Sequence, residues 1–205
     1  MARLNIAPTK SSLLSLKKQL TFAEEGYDLL EQKRQILIFE LMSRLDRARD
    51  AEIRITEAFK RAFAALQEAT LDIGSAALDR AALGVRMEHQ VSLSDQHLMG
   101  MKLPRVTVHA APSSAQFGVG GTSAHTDEAM RRFVEALPLL AELAELENAV
   151  LRLARELRKT QRRCNALSRI FIPDYRETIG YITGALEERE RESFIILKMI
   201  RNRLA

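Results

Sequence analysis

Apolar residues recur every three or four positions along two long stretches of this chain. Thr9 sits where a helix N-cap belongs, and Leu13, Leu16, Leu20, Ala23, Tyr27 and Leu30 follow it. Near residue 38 the stripe shifts by one position. It continues as Ile38, Leu41, Leu45, Ala48, Ile55, Phe59, Ala62, Leu66, Ala69 and Ile73, with Glu52 as a polar intrusion. The second stretch is cleaner: Leu143, Leu146, Val150, Leu153, Leu157, Thr160, Cys164, Leu167 and Phe171, then Tyr175, Ile179, Ile182, Leu186, Leu197, Ile200 and Leu204. A mean spacing of 3.5 residues held this long predicts coiled-coil helices. The shift near 38 predicts a local change of supercoil, and Pro173 predicts a kink. Thr126-Asp127-Glu128 marks a helix start, with Pro138 opening a second helix or bending the first.

Between these stretches the pattern changes. Six of the nine glycines fall between Gly74 and Gly121, with Pro104 and Pro112 among them. Val85, Met87, His89, Val91 and Leu93 alternate with polar residues, the period of a half-buried strand. Met101 to Val108 gives a second strand, with Pro104 suited to an edge. Residues 110–125 are small and Gly/Ser-rich and read as a mobile loop.

The fold class expected is all-α: a long antiparallel two-helix coiled-coil hairpin with a small β-hairpin and loop foot in the middle of the chain. Its sections are 1–73, 74–125 and 126–205. Each arm has roughly 65 residues and spans about 95–100 Å at 1.5 Å per residue. Folding back flush places residue 9 near 204 and residue 73 near 140, with both chain ends at one tip. A parallel homodimer of each helix is the competing arrangement. Ala48, Ala51, Ala58, Ala62, Ala65 and Ala69 allow close approach and predict a thin, stiff rod with little room for a ligand pocket.

Composition narrows the function. Charged residues make up 28% of the 205 and aromatic residues only 5%, with no Trp. The mixture suits helices rather than a ring-filled globular core. The one cysteine rules out an intrachain disulfide framework, and Cys164 sits at an apolar heptad position, as a buried inert thiol. No apolar run approaches the roughly 20 residues a membrane-spanning helix needs, and no segment resembles a signal peptide. The four histidines, His89, His97, His109 and His125, lack zincin spacing and read as surface residues. Gly118-Val119-Gly120-Gly121 lacks the lysine ending of a phosphate loop and reads as a linker. The carboxylates fall as i,i+4 partners of Arg and Lys rather than as acid–base pairs. No catalytic residue, cofactor or metal ligand is expected.

Net charge is +4. Lys10, Lys17 and Lys18 near one end and Lys198, Arg201 and Arg203 near the other are expected to meet in one cationic tip. A second basic run includes Arg152, Arg155, Arg158, Lys159, Arg162, Arg163 and Arg169. Without interleaved aromatics it lacks a stacking platform for nucleic acid, and an acidic protein cavity suits it at least as well.

Ordered motifs at both ends add a family. Pro8-Thr9-Lys10, Leu16-Lys17-Lys18, Gly26-Tyr27 and Lys33-Arg34 open the chain; Arg162-Arg163-Cys164-Asn165-Ala166-Leu167, Ile172-Pro173, Tyr181-Ile182 and Leu186 to Glu192 close it, with Met99-Gly100 and Pro104 in the middle. Together they resemble the D-subunit family of V/A-type rotary ATPases, over nearly the whole chain and weakly over 110–135. That resemblance implies a non-catalytic rotor shaft, coupling ATP synthesis or hydrolysis to proton or sodium transport. It implies that the A and B subunits of the catalytic hexamer surround the tip. The F subunit then binds the side, and the C-type (d) subunit holds the foot on the cytoplasmic face of the membrane. Lys10, Lys17, Lys18, Arg162, Arg163, Lys198, Arg201 and Arg203 would then be partner-binding residues in the hexamer bore. The rival readings are a stalk or adaptor of a secretion or flagellar export ATPase, a basic nucleic-acid-binding coiled coil, and a cryptic enzyme.

Overall fold

The computed structural model describes residues 4–85, 89–109, 118 and 120–204. Met87 of the expected first strand and most of the expected 110–125 loop lie outside the described residues. The elements in order are α1 (Lys10–Ile73), α2 (Ser75–Gly84), β1 (Gln90–Leu98), β2 (Met101–His109), α3 (Ala124–Ala166), a π turn (Leu167–Phe171) and α4 (Ile172–Leu204). They form two compact units, one made of residues up to Leu37 and from Glu156 onward, the other of Ile38–Arg155.

In the first unit the start of α1 pairs antiparallel with the end of α3 and with α4. Thr9 caps α1 as expected, its Oγ1 accepting the Ser12 N–H at 3.1 Å. Contacts then descend one helix as they climb the other: Lys10 Nζ to Glu190 at 2.8 Å, Arg176 to Glu24 at 2.6 Å, and Lys33 Nζ to Glu156 at 3.2 Å. Leu16, Ala23, Leu37, Cys164, Ile172 and Ile182 are buried between them. Ahead of the cap, residues 4–9 run back along α4. The Leu4 N–H donates to the Thr178 hydroxyl at 3.1 Å, and Arg189 donates to the Pro8 carbonyl at 3.0 Å.

This register corrects the flush alignment. Residue 9 lies beside 189–190 rather than near 204, because the helical arms are unequal: α1 has 64 residues, whereas α3, the π turn and α4 run without interruption from 124 to 204. Residue 4 is likewise set back beside Thr178, away from the end of α4.

The expected shift of stripe near residue 38 does not occur. Leu37 is fully buried while Ile38 is 38% exposed. The seam steps on from Leu37 to Leu41, Arg44, Ala48, Ala51, Ile55, Ala58, Ala62, Ala65 and Ala69 in unbroken threes and fours. Two arginines hold seam positions that look polar in sequence. Arg34 and Arg44 side chains are only 29% and 14% exposed. Their aliphatic stems fill the groove and their guanidinium groups reach Glu31 and Glu40 at the rim.

At the position of the expected Pro173 kink the helix makes a π turn, Leu167–Phe171. Proline has no N–H to give the residue one turn back, and Ile172 donates instead to Leu167, five residues earlier. One extra residue is absorbed, so buried Ile172 replaces half-exposed Phe171 in the seam. Pro138, by contrast, neither opens nor ends a helix: α3 continues through it.

In the second unit, α1 and α3 again run antiparallel. Arg54 meets Glu142 at 3.0 Å, Phe63 meets Phe133 edge-on with centroids 5.3 Å apart, and His125 lies 3.4 Å from Glu68 and 3.6 Å from Asp72. The last contact replaces the expected pairing of 73 with 140. Alanines Ala51, Ala62, Ala65, Ala69, Ala129, Ala136 and Ala149 are buried, so small side chains make the seam close-packed.

Gly74, at φ 79°, ends α1 and turns the chain into α2, a helix that periodicity does not predict. The β-hairpin comes next. Leu98 pairs with Met101 across a two-residue turn in which Met99 and Gly100 both have positive φ, 50° and 78°. That is the turn whose twist matches paired strands. Pro104 stands opposite Asp95, where the β2 N–H faces away from β1. Along that outer edge α3 supplies the partners: Glu145 accepts the Val106 N–H at 2.8 Å and Arg152 donates to the Lys102 carbonyl at 2.7 Å. The two residues are seven apart on one helix face. Leu103 is therefore buried, but β1 is not half-buried as expected: Val91 and Leu93 are 61% and 73% exposed.

The seam gives a direct test. Leu37→Ala should cost about 2–4 kcal/mol in urea unfolding followed by circular dichroism, as buried leucines do, and Ile38→Ala well under half of that. Equal losses would restore the shifted stripe.

Candidate partner-binding surfaces

The expected cationic tip is not assembled. Lys10 is held by Glu190. Lys17 and Lys18 lie about two turns further along α1, whereas Lys198, Arg201 and Arg203 lie two to four turns beyond Glu190 in the opposite sense. At 1.5 Å per residue Lys17 and Lys198 are separated by roughly 20 Å along the helices. The hydrogen bond from Lys10 also holds the Glu190 carboxyl below its ordinary range and raises the lysine.

Between Phe194 and Ile200, α4 carries six apolar residues and one lysine, Lys198. Phe194, Ile195, Ile196, Leu197, Met199 and Ile200 are 49–75% exposed. Successive residues point about 100° apart, so this run is apolar on every side. α1 begins beside Glu190, and no described residue of this unit covers the run. An exposed apolar surface of this kind marks an interaction site. The run is plain in the sequence, but its assignment to the seam hid its meaning.

A second apolar set lies on the outer side of α1. Phe22, Leu29 and Ile36 are 76%, 67% and 41% exposed at heptad spacing, about a third of a turn from buried Leu16, Ala23 and Leu37. Heptad periodicity on the outer side of a helix whose near side is already paired is the pattern an additional helix would read.

The basic run divides. Arg152 is engaged by the Lys102 carbonyl. Arg158, Lys159, Arg162 and Arg163 are all exposed, and none has an ion pair or side-chain hydrogen bond among the described residues. Arg158, Lys159 and Arg162 sit opposite buried Thr160 and Cys164; Arg163 lies on the flank. Arg158–Arg162 and Lys159–Arg163 are like charges at i,i+4, each unfavourable by a few tenths of a kcal/mol. Elsewhere the same spacing joins opposite charges, as in Glu40–Arg44 and Glu128–Arg132.

The chemistry expected of other residues is limited. Cys164 is buried as expected, and burial, followed by nearby Glu31, pushes its thiol up, away from the reactive thiolate. Among the described residues no group of three or more His, Cys, Asp or Glu is arranged to hold a metal. The expectation of no ligand-sized space fails in the second unit. A half-open apolar cavity of about 410 Å³ lies where α2 rests against α1 and α3, lined by Phe59, Leu66, Leu78, Met130, Phe133 and Leu137. None of the ten residues of α2 is buried.

The sequence profile of the ATP synthase D-subunit family matches residues 12–202. The D subunit of a V-type ATP synthase from Thermotoga neapolitana is 36% identical over 202 residues, covering 98% of this chain and all of the relative. The D subunit of an A-type ATP synthase from Methanosphaera stadtmanae is 38% identical, covering 97% of this chain and 94% of the relative. The A-type counterpart from Pyrococcus furiosus is 36% identical with the same coverage.

The Lys10–Glu190 bond predicts a pH response. A carboxyl held low contributes stability above its unfolded pKa and loses it as pH falls through its lower folded value. Lys10→Met should move the Glu190 titration, read by carboxyl-carbon NMR, back up into the ordinary glutamate range. A titration unmoved by the substitution would remove the contact.

Proposed function

The chain belongs to the ATP synthase D-subunit family, and we propose that it is the central-stalk rotor shaft of a V/A-type rotary ATPase or ATP synthase. The observation that carries this reading is the end of α4. A helix apolar on every side is stable in water only when something encloses it, and a ring of subunits does so where a groove would cover one face. On this reading the A and B subunits form the ring. Residues 194–200 occupy its bore, with Lys198, Arg201 and Arg203 at the inner end and Lys10, Lys17, Lys18, Arg162 and Arg163 facing the wall lower down.

The remaining partners bind outside the ring. The F subunit binds the side of the shaft, below the ring. The C-type (d) subunit takes the foot, where α2 lies loosely over its cavity. The chain supplies no catalytic group; nucleotide chemistry and ion passage belong to the other subunits. Its part is mechanical: turning, it presents different faces to successive A/B interfaces and so couples ATP synthesis or hydrolysis to ion movement. No described helix is long and apolar enough to cross a membrane; on the shaft reading the chain is a peripheral subunit on the cytoplasmic side. Family membership does not favour the secretion-ATPase adaptor or the nucleic-acid coiled coil.

The test is co-assembly. The wild-type chain should copurify with the A, B and F subunits. Ile196→Glu with Ile200→Glu should weaken its association with the A/B ring at least tenfold while leaving the helicity of the isolated chain unchanged. A chain that fails to join the ring, or a double variant that joins as well as wild type, would remove the bore assignment. Leu157→Asp, which strikes the seam, should abolish coupled pumping; intact hydrolysis-driven pumping in such a complex would count against a torque-bearing role.

A further inference from the structure

We propose that Arg158, Lys159 and Arg162 form an electrostatic docking patch for a carboxylate-rich surface on the subunits of the surrounding ring. This rests on the shaft reading above and adds to it the patch, its boundaries and the chemistry of its counterpart.

Three observations carry it. First, the patch has no internal role. The helix pair is held on its other side by Thr160 and Cys164, and these cations touch neither the seam nor an acidic neighbour among the described residues. Second, the acids that could neutralise them are already committed. Glu156 is bound by Lys33 and Glu31 by Arg34. Third, Arg158 and Arg162 repel each other one turn apart, so this face opposes its own helix, and an external anion relieves the repulsion. Arg163 is on the flank and outside the patch, so of the Arg162–Arg163 pair only Arg162 belongs to it. Arg169, beyond the start of the π turn, is exposed and also unpaired and extends the same charge.

A protein surface fits better than nucleic acid. The patch is short and straight, with no aromatic side chain among its cations, whereas single-strand binders interleave cations with stacking rings. Its guanidinium groups suit bidentate pairing with carboxylates.

The experiment uses the full chain with the F subunit and the assembled A/B ring. Affinity is measured at low and high salt for wild type and for a triple variant, Arg158→Gln, Lys159→Gln and Arg162→Gln. Wild-type affinity should fall steeply with salt. The variant should bind about tenfold or more weakly at low salt, show a shallower salt dependence and converge with wild type at high salt. Its melting temperature alone should be unchanged or slightly higher, since self-repulsion has been removed. A variant with wild-type affinity and salt dependence overturns the proposal, as does a loss equal at all salt concentrations. Salt-sensitive retention on DNA that vanishes in the variant while ring binding persists assigns the patch to nucleic acid and also overturns it. If wild type fails to bind the ring at all, the shaft reading fails instead.

Discussion

A two-helix seam is the constraint on which everything else depends. In the first unit each buried side chain between the arms has one facing helix and no third layer, so the groove must be filled at every turn or water enters. The unbroken run from Leu16 through Leu37 to Ala69 meets that demand with small residues and with arginine stems where the arms carry charge at the rim. The same thinness leaves most of each helix facing outward. Outward residues are then free to be chosen for partners, and they differ from side to side. In the first unit α1 offers apolar residues at heptad spacing, α3 offers unpaired cations, and α4 carries, near its end, six exposed apolar residues within Phe194–Ile200 interrupted by Lys198.

That inequality of faces suits the proposed mechanical role. A smooth cylinder turning in a ring would present the same surface at every angle and select no interface over another. Different chemistry at different angles lets a rigid part favour one neighbour at a time, and rigidity comes from the packed seam. The ion pairs between the arms, mostly solvent-exposed, add little stability but disfavour sliding of one helix along the other.

The helices and the β-hairpin with its Met99-Gly100 turn were legible because they rest on local periodicity and local turn chemistry. Register was not. It depends on how many residues the middle of the chain consumes and on whether the arms are equal, and neither α2 nor the return of residues 4–9 along α4 leaves a periodic trace. The stripe was misplaced near residue 38 because Arg34 and Arg44 read as surface residues, although their stems lie in the groove. Leu197 and Ile200 keep a seam-like spacing and so were assigned a partner helix that ends before reaching them. The basic residues were visible individually, but which of them is neutralised, as Lys10 is by Glu190, is a matter of tertiary pairing.

The π turn at Leu167–Phe171 sets the compass bearing of the helix downstream of it. Taking up one residue in a π turn sets every later side chain back by about 100° relative to an unbroken α-helix. Hydrophobic contact is recovered at once, because Ile172 takes the place Phe171 would have held, so the insertion is nearly silent in packing. Seen from outside it is not silent: the azimuth of the last thirty or so residues is fixed by a single supernumerary amino acid. In a machine whose strokes are timed by angle, such a residue acts as a keyway, setting when the end of the helix meets each neighbour without changing what it is made of.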